Sequence, residues 1–187
     1  MIKGTSKLIG VGGLLGIAFD PQYLSNRYFY VFYISTGIRS RVSRFRRSAS
    51  NPLLADAGSE DILLDFPAAT GSGYHNGGAI HFGSDNMLYV GVGDAHRAGA
   101  SPPYSQDLSN LHGTLLRINP AGYPGSIVPG DNPFVATSGA RGEIWAYGLR
   151  NPFTFAVDPV SGKIHINDVG QGSWEEVNLG VRGALKL

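Results

Sequence analysis

A chain of 187 residues with 42% apolar side chains has enough material to bury one core. Its net charge of +1 gives no reason to expect nucleic acid or an anionic membrane as a partner, and the absence of cysteine excludes disulfides and thiolate metal sites. Nine tyrosines and nine phenylalanines in short alternating runs, cut by 27 glycines and 11 prolines, predict an all-β protein.

Residues 8–19, behind Lys3 and Lys7, have the apolar character of a signal-peptide core. The glycines within the run, the following Asp20-Pro21 and the lack of a small-residue cleavage site favour a buried strand, so any signal is expected upstream of Met1. No apolar run reaches the ~18 residues of a membrane span. Residues 41–47, RVSRFRR, read as a strand with arginines on both faces. An anion or nucleic-acid patch would explain them, but no aromatic interleaving supports one, and a solvated outer strand whose charges deter edge pairing is expected. Residues 61–66, DILLDF, read as another strand, with 67–73 as the connection that follows.

Residues 75–94, HNGGAIHFGSDNMLYVGVGD, form a predicted hairpin: apolar runs at 79–82 and 87–90 flank the turn Gly83-Ser84-Asp85-Asn86. A hairpin folds its outer ends together, so His75 and Asp94 can meet. A carboxylate beside an imidazole fixes its tautomer, as a general base requires. A plainer reading also stands, in which His75 satisfies a turn and Asp94 caps a loop. Beyond lies a polar loop, 96–112, whose histidines, His96 and His112, are expected to be solvated. Residues 114–118, TLLRI, are again strand-like, and 120–142 form a Gly- and Pro-rich surface loop of a kind that often carries binding sites.

The chain also repeats itself weakly. GLLGIAFDPQYLSNRYFYVFY from Gly13, GGAIHFGSDNMLYVGVGD from Gly77 and NPFTFAVDPVSGKIHINDVG from Asn151 each run from a bent start through a strand and a polar turn to a second strand. Phe19, Phe82 and Val157 match in position. A repeated hairpin with room for two further strands per period is what a propeller blade needs.

Together, GGLLGIAFDP, HNGGAIHFG with LYVGVGD, IWAYGLRNPFTFAVDP and NDVGQGSWEEVN resemble the soluble glucose/sorbosone dehydrogenases that depend on pyrroloquinoline quinone (PQQ). Aldose sugar dehydrogenases and hedgehog-interacting-like propellers belong to the same family. The landmarks keep the family's order from about Gly10 to Asn178. The resemblance implies a six-bladed β-propeller with cofactor and sugar at one end of its channel. Three hairpin copies make about three blades, so residues 1–187 are expected to form a single partial propeller domain. Its open edge would need a homodimer or another partner to cover it.

What the resemblance implies for the site can be stated residue by residue. His75 would be the general base that takes the proton of a sugar's anomeric hydroxyl, and Asp94 its acidic partner. Arg150 and Asn151 would hold the quinone, whose carboxylates suit a guanidinium fork; locally, Arg150 could instead pair with an acid and Asn151 start a turn. The carbonyls of Gly170 and Gln171 would hold a calcium ion, and Glu176 a second one. Trp174 is expected to pack.

Two departures stand out: Val11 replaces a glutamine common before GGLLG, and the later lysine and arginines of the pocket would lie beyond Leu187. The implied activity is oxidation of an aldose sugar to a lactone, with PQQ and calcium as cofactors, an external electron acceptor and a periplasmic or secreted location. A non-catalytic propeller binding a protein or glycan is the alternative, and a lactonase-type hydrolase, favoured by nothing specific, is a third.

Overall fold

The computed structural model describes residues 13–68, 74–96 and 100–184. Val11, Lys3, Lys7 and the first part of 8–19 lie outside them. Three antiparallel meanders make up the fold. The first sheet has strands β1 (Leu14–Phe19), β2 (Tyr28–Ser35), β3 (Arg39–Arg47) and β4 (Ala55–Pro67), in that order across the sheet. The second has β5 (Ile80–Phe82), β6 (Leu88–Val92), β7 (Thr114–Ile118) and β8 (Ile144–Tyr147), and the third has β9 (Pro152–Val157), β10 (Ile164–Asp168) and β11 (Glu176–Gly180).

Each copy of the sequence repeat is the first hairpin of one sheet, β1–β2, β5–β6 and β9–β10. These leading strands adjoin, β1 against β5 and β5 against β9, so the sheets follow one another as consecutive blades of a propeller. Strands β8 and β11, of four and five residues, complete the second and third sheets and are not among the strands expected from the sequence. The strand at 61–66 is the end of a longer one: β4 pairs with β3 from Arg39↔Pro67 to Arg47↔Ala55.

The arginine-rich strand departs from expectation. β3 is paired on both sides, by β2 and β4, so it is not an outer strand. Its charges are matched across the sheet. Arg39 and Arg41 share Asp65, and Arg44 meets Asp61 at 2.6 Å while its guanidinium lies 4.4 Å from the centre of the Tyr28 ring.

Packing between sheets explains the burial pattern. Tyr30, Phe32, Val42, Leu64, Ile80, Val90, Leu116 and Ile144 fill the space between the first and second sheets. Tyr89, Leu115, Phe155, Ile164 and Ile166 fill that between the second and third. The second sheet is therefore covered on both faces, and every residue of β6 and β7 is buried. On its other face the first sheet buries a small cluster of its own, Phe29, Val31 and Phe45, while Leu14, Ile17 and Phe19 of β1 and Val177 and Leu179 of β11 remain exposed.

Candidate active site

At the end where the leading strands begin, tight backbone contacts bring three blades together. Gly77 has φ +70°, and a Cβ there would fall 2.3 Å from the Gly91 carbonyl oxygen. A Cβ on Gly93 would lie 2.1 Å from the carbonyl oxygen of His75. Glycine at both places lets the HNGG corner lie flat against the strand that leads to Asp94. Further bonds close the corner: Gly78 N–H donates to Gly91 O at 3.0 Å, and Ala95 N–H to His75 O at 3.2 Å.

The result is a close imidazole–carboxylate pair. His75 Nδ1 lies 2.6 Å from Asp94 Oδ1, with side-chain exposures of 10% and 4%. That same oxygen accepts the backbone N–H of His96 at 2.8 Å. A carboxylate acting as acceptor leaves Nδ1 as the donor, so the neutral imidazole carries its bare nitrogen at Nε2.

The third blade supplies the opposite wall. Asp168, buried at the end of β10, takes the backbone N–H of Arg150 at 3.0 Å and of Asn151 at 2.6 Å. This fixes the corner that opens β9. The Arg150 carbonyl in turn accepts Asp94 N–H at 2.8 Å, and Asn151 Oδ1 accepts Gly77 N–H at 3.0 Å. Two hydrogen bonds thus tie the second and third blades at the site.

The guanidinium of Arg150 donates through Nε to Gln171 Oε1 at 3.2 Å and through Nη1 to Val169 O at 2.8 Å. Among the described residues no carboxylate forms an ion pair with it. Its local partners are therefore neutral oxygens, and the acid nearby, Asp168, binds its backbone instead.

These groups line one cavity of about 510 Å³, walled by Leu15, Tyr74, His75, Asn76, Gly77, Arg150, Asn151, Phe153, Val169 and Gly170. The volume is within the ordinary range for a small-molecule site. A guanidinium with no carboxylate partner among the described residues, in a cavity with apolar walls and the His75 imidazole, fits a planar polycarboxylate such as PQQ.

Arg150, Val169 and Gly170 also line a neighbouring cavity of about 400 Å³ that includes Gln171, Trp174 and Glu176. Gly170 N–H donates to Glu175 Oε2 at 3.0 Å, closing the loop at 170–175. Among the described residues no three His, Cys, Asp or Glu side chains gather to hold a metal. The donors there are peptide oxygens and single side chains, a set that suits a hard cation only when a ligand's own oxygens complete the shell. Glu176 stands apart: it faces the second cavity, and Asn178 Nδ2 lies 3.4 Å from its Oε2.

Two expectations are corrected here. His112 is buried rather than solvated: its Nε2 is 2.9 Å from the Pro67 carbonyl oxygen and its ring packs against Phe66 and Tyr104. Trp174 does not pack but is 82% exposed, on the loop between β10 and β11. Sequence reasoning also passed over Asp168 as the residue that holds the Arg150–Asn151 corner. Its only signal was a polar Asn-Asp pair closing an alternating strand. His96, expected in solvent, is exposed yet rests on the His75 ring.

A model of the Glucose / Sorbosone dehydrogenase family matches residues 2–184. The chain belongs to that family. It is 31% identical over 178 residues to aldose sugar dehydrogenase YliI of Escherichia coli, an alignment covering 93% of this chain and 45% of that protein. The PQQ-bound aldose sugar dehydrogenase of Streptomyces coelicolor superposes with a TM-score of 0.79 at 33% identity, covering 98% of this chain and 50% of the other. Hedgehog-interacting protein of Mus musculus is 31% identical over 168 residues, covering 83% of this chain and 24% of that protein. This member of the glucose/sorbosone dehydrogenase family thus spans less than half the length of those two curated relatives and about half of the Streptomyces propeller. No helix among its described residues is long and apolar enough to cross a membrane.

Proposed function

We propose that this chain carries the catalytic base and part of the cofactor pocket of a quinoprotein that oxidises the anomeric hydroxyl of an aldose sugar to a lactone. The observation that carries this reading is the His75–Asp94 pair opening onto the same cavity as the carboxylate-free guanidinium of Arg150. His75 takes the hydroxyl proton at Nε2, since Nδ1 is engaged by Asp94. Asp94 holds the imidazole in that tautomer and stabilises the cation formed when the proton arrives. Arg150 and Asn151 bind the carboxylates of PQQ, and the carbonyls of Gly170 and Gln171 hold calcium, with Glu176 on a second ion. PQQ, when bound, supplies the hydride acceptor. Phe153, Leu15 and Tyr74 supply the apolar part of the cavity wall.

Such an activity would need an external electron acceptor, in a periplasmic or secreted setting. A homodimer or another partner covers the exposed faces of β1 and β11. The second reading, a non-catalytic propeller binding a protein or glycan, draws on the similarity to hedgehog-interacting protein and on those exposed apolar residues. One experiment separates the two. The purified chain is incubated with calcium and PQQ, quinone binding is followed spectroscopically, and dye reduction is assayed with a panel of aldoses. Binding with sugar-dependent reduction supports the dehydrogenase; neither binding nor turnover overturns it.

A further inference from the structure

Directly after Asp94 the backbone makes two consecutive left-handed residues, Ala95 at φ +55° and His96 at φ +57°, opposite a third, His75 at φ +59°. Non-glycine residues hold this conformation at a cost, and a run of them persists only where the surroundings enforce it. Here the corner achieves two things. It turns the His96 N–H onto Asp94 Oδ1, the oxygen that also meets His75 Nδ1. It also sets the His96 ring edge-on to the His75 ring, with centroids 4.8 Å apart and planes at 66°.

His96 is exposed and is not among the residues that wall the cavity, whereas His75 is. The second imidazole therefore supports the first from outside the pocket rather than touching what binds inside it. An imidazole has two broad wells about its last side-chain torsion, and exchanging them swaps which nitrogen faces the substrate. Packing against one side of the ring removes that freedom.

We infer that His96 is a positioning residue for the base: its ring and its backbone N–H together hold His75 with Nδ1 on Asp94 and Nε2 turned to the cavity. This rests on the reading of His75 as the base, but its first test does not need turnover. In the cofactor-free full chain above neutral pH, nitrogen–proton correlation spectra of the histidine rings report the tautomer. Wild-type His75 shows one protonated and one bare nitrogen. In His96→Ala the two signals move toward their average, and in His96→Phe, which keeps a ring in place, they return. Unmoved His75 signals in His96→Ala overturn the inference, as does a His96→Phe spectrum identical to that of His96→Ala.

In the quinone-loaded protein, kcat of His96→Ala falls about tenfold with KM unchanged, the signature of a misplaced base, and His96→Phe recovers most of it. Unchanged kcat in His96→Ala overturns the inference. If His75→Ala itself retains turnover, the base assignment falls, while the spectra still decide whether His96 sets the ring.

Discussion

On the β5–β6 side of the cavity His75 and Asp94 are almost closed to solvent and meet at 2.6 Å, while on the β9–β10 side the half-buried Arg150 reaches Gln171 and the Val169 carbonyl at an open rim. The first side is completed by the chain itself. Backbone bonds from Ala95 and His96 and the close approach at Gly93 fix its geometry before any ligand arrives. On the second side only the backbone is fixed, through Asp168. The guanidinium there has neutral partners that an anionic ligand can displace. On the function proposed above, the contrast corresponds to a preorganised proton acceptor and an adaptable cofactor side.

Substitutions can break or sharpen that contrast. The largest effect is expected from His75→Ala, which should lower sugar turnover in the PQQ- and calcium-loaded protein by at least about a hundredfold while quinone binding persists. Near-normal turnover would assign the base elsewhere. Next comes Gly93→Ala, whose new methyl collides with the His75 carbonyl oxygen; a loss of about 1–3 kcal/mol in denaturant unfolding is expected. An unaltered unfolding midpoint would show that the base corner is less rigid than its contacts suggest.

On the opposite wall, Arg150→Ala should weaken PQQ binding about tenfold or more, since hydrogen bonds to charged groups are strong, yet cost less than about 1 kcal/mol of stability. Equal losses in both would make Arg150 a structural residue. Trp174→Ala, at an exposed loop, should change stability by no more than about 0.5 kcal/mol in the same unfolding measurement.

Several of these features were legible in the linear chain. The three hairpins show through their alternation and turn residues, and the meeting of His75 with Asp94 follows from hairpin ends lying together. Others had no local signature. His112 is buried against Phe66 and the Pro67 carbonyl of a distant strand, and Trp174 is exposed although a large aromatic ring normally packs. The left-handed pair at Ala95 and His96 carries no glycine to announce it.

By itself the sequence determined what depends on neighbours along the chain: the all-β class, the repeated strand–turn–strand unit and the closing of each hairpin, because turn chemistry and side-chain alternation act over a few residues. Tertiary structure alone decided that Asn151 would bind Gly77 and that His96 would lie on the His75 ring. Those contacts depend on how separate sheets pack and on backbone conformations that packing enforces, and neither is encoded in any short stretch.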